Sequence, residues 1–562
     1  MSRRWASRLV LSAAAGLLVI PLATPAAAAS AIDVQANSPQ VAGDPASDTT
    51  AVFPTNKQNE TSVAVNPLDD RLLISGANDE QRQPACGPGP VRGPGVDPSD
   101  CSFFPGVGTS GVYTSSDGGK SWTNRGLLDD QPSWKASDFV SDGDPVISYG
   151  PKPQADGSFS YAKGARAYYS SLASYKPGRS PYPPNKAPEL LAVAYSDDNG
   201  LTWSAPVIAT VKENPNDFND KEWVTVDASP TSPYFGQVYL TWTEFRAAGQ
   251  SEPVMVSVSR NGGRSYSLPK QLSPAGNNGT GNGRQGSMPT VGPDGTVYVG
   301  WEEGSQQLVS VSRDGGSRWA RPVSAGSVVD IHDPIPGSNF RTNSFLSIAA
   351  DPRPGSTSVW AAWVNRTPDG GRVVVVRSTD RGATWSAPET VSGGAEGYAF
   401  YQGLAVAPNG RVDVGYQAQK AKDPTTYGTG NAAIDAWYVA RPDGGGWSSP
   451  VKVSGASSDP AVSAQNNLAR QFMGDYNTMA STAKKAWFIT TDARRGAGCP
   501  AVDAYQHEVE GTSVVRGDMR DRIATRLGKD PYAADPLSKP APPLDCPAQF
   551  GNTDAYVAVI TP

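Results

Sequence analysis

One octet recurs along this chain and limits what the chain can fold into. Ser-x-Asp-x-Gly-x-x-Trp appears as SSDGGKSW from Ser115, SDDNGLTW from Ser196, SRNGGRSY from Ser259, SRDGGSRW from Ser312 and STDRGATW from Ser378. A shortened copy, ARPDGGGW, starts at Ala440. Glycine at the fifth position supplies the positive φ of a tight turn, and the short aspartate can bond nearby backbone N–H groups. The tryptophan comes back from the turn as a packing residue. Asn261 replaces the aspartate once and Tyr266 the tryptophan once, changes that suit turn and packing roles. The octets therefore read as scaffold and not as a row of carboxylate ligands.

Around the octets a longer unit returns. A strand, a tight turn and a second strand read SVAVNPLDDRLLISG from Ser62, PTVGPDGTVYVGW from Pro289, LSIAADPRPGSTSVWAAW from Leu346 and LAVAPNGRVDVGY from Leu404. After a variable loop comes a second hairpin whose turn is the octet, as in VMVSVSRNGGRSYSLP from Val254. Each unit is thus four short antiparallel strands. Units open near residues 59, 140, 219, 284, 341, 401 and 470, and the last ends on the strand DAYVAVITP in place of an octet. Four-stranded units in series predict an all-β fold, a β-propeller of seven antiparallel blades, which protects its sheet edges by closing on itself. Composition agrees: 59 glycines and 50 prolines punctuate apolar runs that carry 14 tryptophans. The one helix-like period after the first residues lies near 512–527.

The opening MSRRWASRLVLSAAAGLLVIPLATPAAAAS has a basic start, an apolar centre and a small-residue end. It reads as a secretory signal peptide over 1–29, with Ala27-x-Ala29 fitting the cleavage site. The expected organisation is that leader, an N-terminal extension over 30–54 and the propeller over 55–562, in a secreted, monomeric protein without a membrane span. The formal net charge of −6 becomes more acidic once Arg3, Arg4 and Arg8 leave with the leader. No basic stripe with interleaved aromatics suggests a nucleic-acid partner. Cys86 with Cys101 and Cys499 with Cys546 are the pairings that proximity favours among the three that four cysteines allow. No cysteine has C-x-x-C spacing and only His332 and His507 occur, so no metal site and no cofactor is expected, with structural calcium left open.

Strand parity locates the chemistry. With strands A to D counted outward, the A–B and C–D turns share one face of the disc, so the octets lie on that face. The other face collects the B–C loops and the starts of the A strands, and long loops on a rigid scaffold commonly carry function. Those starts are polar: KQNET, SDGDP, NDKEW, RQGSMP, FRTNSF, YAFYQG and RQFMGDY. Glu60, Asp142, Asp144, Glu222, Arg284, Arg341, Tyr401, Arg470, Asp475 and Tyr476 are expected to converge on the axis. Mutual salt bridges that close the channel would explain such charges; so would a sugar pocket.

The repeats resemble the Asp-box (BNR) repeats of the sialidase superfamily, over roughly residues 55–562. The resemblance implies six blades, against the seven counted from the hairpins. It also implies three arginines clamping a carboxylate, a tyrosine nucleophile with a glutamate base, and an aspartate general acid. Carried onto this chain, Tyr476 is the nucleophile, Glu222 its base, and Asp142 or Asp144 the acid; Arg284, Arg341 and Arg470 form the clamp, with Tyr401 and Glu60 also at the sugar. Where the family has Arg-Ile-Pro, this chain has Asn59-Glu60-Thr61. The implied function is an exported sialidase-like glycoside hydrolase acting on an acidic terminal sugar of glycans or polysaccharides. A non-catalytic propeller that binds a glycan or protein on the same face is the alternative. A second alternative is a polysaccharide lyase using His332 and a tyrosine.

Overall fold

The computed structural model describes residues 29–37, 41, 43–86, 101, 104, 106–183, 188–210, 214, 217–246, 251–274, 284–510 and 539–562. All of the expected leader except Ala29, and the helix-like stretch near 512–527, lie outside the described residues. The strands form seven four-stranded antiparallel sheets. Their inner strands, in blade order, are Gln58–Val65, Phe139–Pro153, Phe218–Val226, Arg284–Val291, Ser347–Ala350, Tyr398–Val406 and Thr478–Ser481. Consecutive inner strands are neighbours and the last neighbours the first, so the ring closes. This is the β-propeller that the hairpins predict, with seven blades and not six.

Closure differs from the expected organisation. Blade seven is built from Thr478–Ser481, Ala486–Asp492, Asp554–Thr561 and, outermost, Ser30–Gln35. Ser30 stands opposite Thr561 and Gln35 opposite Tyr556. The start of the 30–54 stretch is therefore part of the ring and not an extension. The physical reason is the missing seventh octet: without a fourth strand of its own, this blade would expose a bare edge. The N-terminal strand covers it.

Every octet makes the same turn. Its serine hydroxyl accepts from the backbone N–H of the glycine at position five, at 2.8–3.0 Å in all five copies. The aspartate Oδ1, or Asn261 Oδ1, accepts from the N–H at position seven, at 2.8–3.0 Å. The aromatic residue then packs back onto the preceding blade. Trp203 joins Ala64, Ile74 and Val112 of blade one, and Trp385 joins Tyr298 and Val309 of blade four. Asp198 also accepts from the Thr202 hydroxyl at 2.6 Å. Asp198→Ala should therefore lower the unfolding free energy by about 1–2 kcal/mol, the usual cost of losing such a local cap. Urea titration would show it, with ligand binding or activity at the opposite face unchanged.

Candidate functional site

The inner strands are interrupted at the same level in five blades. Their register breaks between Asn59 and Ser62, Gly143 and Val146, Asp220 and Trp223, Gln285 and Met288, and Phe400 and Gly403. Inside each break one residue takes a left-handed backbone: Glu60 at φ 52°, Asp144 at 53°, Lys221 at 55°, Gly286 at 65° and Tyr401 at 46°. Glycine alone does this without strain; each of the other four costs about 1–3 kcal/mol. A bulge re-aims side chains. Glu60, Asp144 and Lys221 line a cavity of about 200 Å³ at the axial mouth, on the face opposite the octets.

Lys221 stands amid three carboxyl groups. Its ammonium makes a short contact with Asp475 and lies 3.5 Å from Glu60 Oε1 and 3.6 Å from Asp144 Oδ2. Arg341 grips Asp475 with both arms of its fork, Nε to Oδ1 and Nη2 to Oδ2, each at 2.6 Å. The same Nη2 is 3.7 Å from Glu60 Oε1. Asn78 donates to Glu60 Oε2 at 2.8 Å and accepts from the Asp144 backbone N–H at 2.6 Å. Tyr401 Oη sits 2.6 Å from the carbonyls of both Arg341 and Gly474, which fixes the backbone that carries the guanidinium.

These contacts drive two carboxyl groups apart. Burial, then the nearby Asp144, pushes Glu60 well above the usual range and favours its neutral form. Burial opposes ionisation of Asp475 too, but Arg341 and Lys221 outweigh it and hold this carboxyl well below its ordinary value. Lys221 stays charged: burial disfavours its ammonium, yet Asp475, Glu60 and Asp144 raise its pKa well above normal.

Below the mouth lies a second cavity of about 30 Å³, and both Glu222 and Tyr476 line it. Burial is the main cause raising both groups, followed in each case by the charge of Asp144. Tyr401 lines this inner cavity as well. The three expected guanidiniums do not come together. Arg284 faces Glu303 across its own hairpin and pairs with it at 2.9 Å. Arg470 pairs with Asp333 at 2.5 Å and donates to the Asn339 carbonyl. Neither lines either cavity, and nor does Asp142. Arg341 alone reaches the mouth, with its fork taken by Asp475. Lys221 is absent from the residues expected at the axis, and only the fold shows it to be the first, left-handed residue of its register break, as Asp144 is of its own. Among the described residues, no group of three or more His, Cys, Asp or Glu side chains could hold a metal ion, and no helix is long and apolar enough to cross a membrane.

A buried polar chain stitches the closing seam beside this site. Asp79 accepts from Gln58 at 3.1 Å and from Tyr113 at 2.6 Å. Asn37 links Gln58, at 2.6 Å, to Asp554, at 2.9 Å. Burial raises Asp79 and Asp554 to about 6 and nearby Asp44 to about 7. A carboxyl raised in the folded state stabilises it fully below the unfolded pKa, and that contribution is lost as pH rises through the folded pKa. The urea midpoint should therefore decline as pH rises from about 4 to about 7, and Asp554→Asn should flatten that dependence.

The ring is a seven-bladed β-propeller, and its turns carry the repeated octet. The family model for the BNR/Asp-box repeat matches residues 194–205, the blade-two octet with its flanks. Among solved structures, the chain is similar to the leech intramolecular trans-sialidase complexed with 2,7-anhydro-Neu5Ac: 14% identity over 66% of this chain and 66% of that one, with TM-score 0.40. The intramolecular trans-sialidase from Ruminococcus gnavus in complex with oseltamivir carboxylate gives 13% identity over 67% and 94%, with TM-score 0.41. The Penicillium chrysogenum α-L-arabinanase complexed with arabinobiose gives 11% over 82% and 94%, with TM-score 0.39. Comparison with curated proteins gives no match. Likenesses at this level carry no argument about activity, which rests on the site.

Proposed function

We propose that the protein is a glycan-acting enzyme, a glycoside hydrolase that takes an uncharged sugar at the axial mouth. One observation carries this reading: Glu60 and Asp475 approach the same Nη2 of Arg341, at 3.7 and 2.6 Å, and their surroundings push the two carboxyl groups in opposite directions, Glu60 toward the neutral form and Asp475 toward the charged one. Carboxyl groups driven apart in this way divide the work of acid and charge stabiliser. Glu60 gives its proton to the departing glycosidic oxygen as the C–O bond breaks. Ionised Asp475 faces the positive charge that develops at the anomeric carbon, and Asp144 takes the proton of the attacking water. Half-buried Phe345 offers an apolar face to the ring.

Charge argues for an uncharged sugar. Lys57, Lys221 and Arg341 are the three cations lining the mouth, against six carboxyl groups. Lys57 pairs with Glu80 at 3.0 Å, and the other two hold Asp475. An acidic sugar would have to displace an internal carboxylate. The acidic-sugar, tyrosine-nucleophile route implied by the resemblance is a second reading, favoured by Tyr476 and Glu222 sharing the inner cavity.

Assay of neutral glycosides and a sialoside, each with wild type, Glu60→Gln and Tyr476→Phe, separates these readings. Cleavage of a neutral glycoside, lowered about 10²–10⁴-fold by Glu60→Gln, is expected. Sialoside cleavage abolished by Tyr476→Phe would replace it with the tyrosine route. Glycan binding without any turnover would make the protein a binding propeller.

A further inference from the structure

We propose that the inner cavity is a hydroxyl-binding subsite, holding water in the free protein and the hydroxymethyl arm of the bound sugar in the complex. The sugar half rests on the glycan reading above; the water half does not.

Five buried oxygens without a hydrogen-bond partner belong to four residues lining this one small space: both carboxyl oxygens of Glu222, Ser287 Oγ, Tyr476 Oη and Asn477 Oδ1. Glu222, Ser287 and Asn477 are 1%, 0% and 2% exposed, so bulk solvent does not satisfy them. A buried polar group left without a partner is costly, because it has given up its water and gained nothing. Five on residues that line one void call for a shared partner.

The bulges explain why the groups meet. Glu222 and Ser287 follow Lys221 and Gly286, the left-handed residues of blades three and four. The bend that aims Lys221 at the mouth sets the next residue one layer down. Asn477 is oriented by its amide nitrogen, which donates to Gln417 Oε1 at 2.9 Å and to the Tyr401 carbonyl at 3.3 Å. Its Oδ1 is left to accept.

Size and polarity then specify the occupant. A water needs about 10–15 Å³ of such space and two to four polar partners, so about 30 Å³ takes one or two oxygens. Glu222, whose neutral form burial favours, can donate in that form, Asn477 accepts, and Ser287 and Tyr476 can do either. That set fits a hydroxyl, which both gives and takes a hydrogen bond. Lys221, Asn343, Phe345 and Asp475 line both cavities, so the subsite adjoins the place where the sugar ring would sit. A one-carbon arm with a terminal hydroxyl fits; a second ring does not.

Two measurements test this. A high-resolution crystal structure of the protein alone should show ordered oxygen within hydrogen-bond reach of Glu222 and Asn477. Calorimetric titration should use hexoses against their 6-deoxy partners: D-galactose with D-fucose, D-glucose with 6-deoxy-D-glucose, and D-mannose with D-rhamnose. At least one hexose should bind about tenfold more tightly than its partner, and Ser287→Ala should shrink that ratio. An empty cavity overturns the whole proposal. Ordered water with equal affinity in every pair, or with no hexose bound, overturns the sugar half. Failure of every glycoside to turn over would end the hydrolase reading while leaving the ordered water in place.

Discussion

Asp475→Asn is expected to lower the unfolding free energy by about 3–5 kcal/mol, because it removes the carboxylate that buried Lys221 and half-buried Arg341 both hold. Lys221 is 9% exposed at its side chain and Asp475 6%, so water screens the pair poorly. Arg341, at 23%, has more access but both arms of its fork end on the same carboxylate. Asparagine keeps the shape and removes the charge, so cavity formation does not enter. Adding Lys221→Met should recover part of the loss, since the remaining cation can turn toward the Glu60–Asp144 pair and the solvent. Urea denaturation of the wild type, both single variants and the double variant gives the coupling energy. A cost for Asp475→Asn below about 1 kcal/mol, the range of exposed ion pairs, would show that the mouth is solvated and that Asp475 is not held in the way described. Closure of the channel by salt bridges alone predicts a different pattern: a large stability loss with no effect on glycan binding.

Breaking the Cys499–Cys546 disulfide, with both cysteines replaced by serine, should cost about 4 kcal/mol. The link spans 47 residues, and closing a loop of that length removes about that much chain entropy from the unfolded state. The Cys86–Cys101 link spans 15 residues and should be worth about 3 kcal/mol. Both disulfides pack in one apolar cluster with Phe53, Ala464, Leu468, Ala469 and Phe550. The chain that continues from this cluster through Arg470 carries Asp475 and Tyr476 to the axis. Loss of the longer link should therefore weaken glycan binding at the mouth as well as stability. Denaturation and binding measured with and without reductant would show both. Unchanged binding after reduction would mean that the 464–477 segment is held by the ring alone.

Much of the fold was legible in the sequence, and for stated reasons. Each octet carries its own turn chemistry, so Ser115 to Trp122 or Ser378 to Trp385 identifies a hairpin without help from the rest of the chain. Counting hairpins gave seven blades where the family resemblance implied six. Parity then put the mouth on the face away from the octets, where Glu60, Asp144, Arg341, Asp475 and Tyr476 are found. What failed were the pairings. Arg284 has the right residue type at the right strand, but its partner Glu303 lies on the neighbouring strand and neutralises it there. Arg470 meets Asp333 from the loop ahead of blade five. The Arg470 contact depends on a loop that no octet places, and the Arg284 contact on how far the blade-four hairpin keeps pairing beyond its bulge. Ser30–Gln35 escaped for a similar reason: SAIDVQ has no hairpin around it, and its partner Asp554–Thr561 comes more than 500 residues later.

The pairing of Ser30 with Thr561 decides where the chain can be cut. Because Ser30 lies beside Thr561 on one blade, the two ends of the ring are neighbours, and the seam they form is set by gene order more than by the architecture. A short peptide bridging them would turn the covalent chain into a circle that follows the disc. New ends could then be opened at an exposed turn such as Pro408-Asn409-Gly410, which would move the seam to blade six and leave the arrangement at the axis in place.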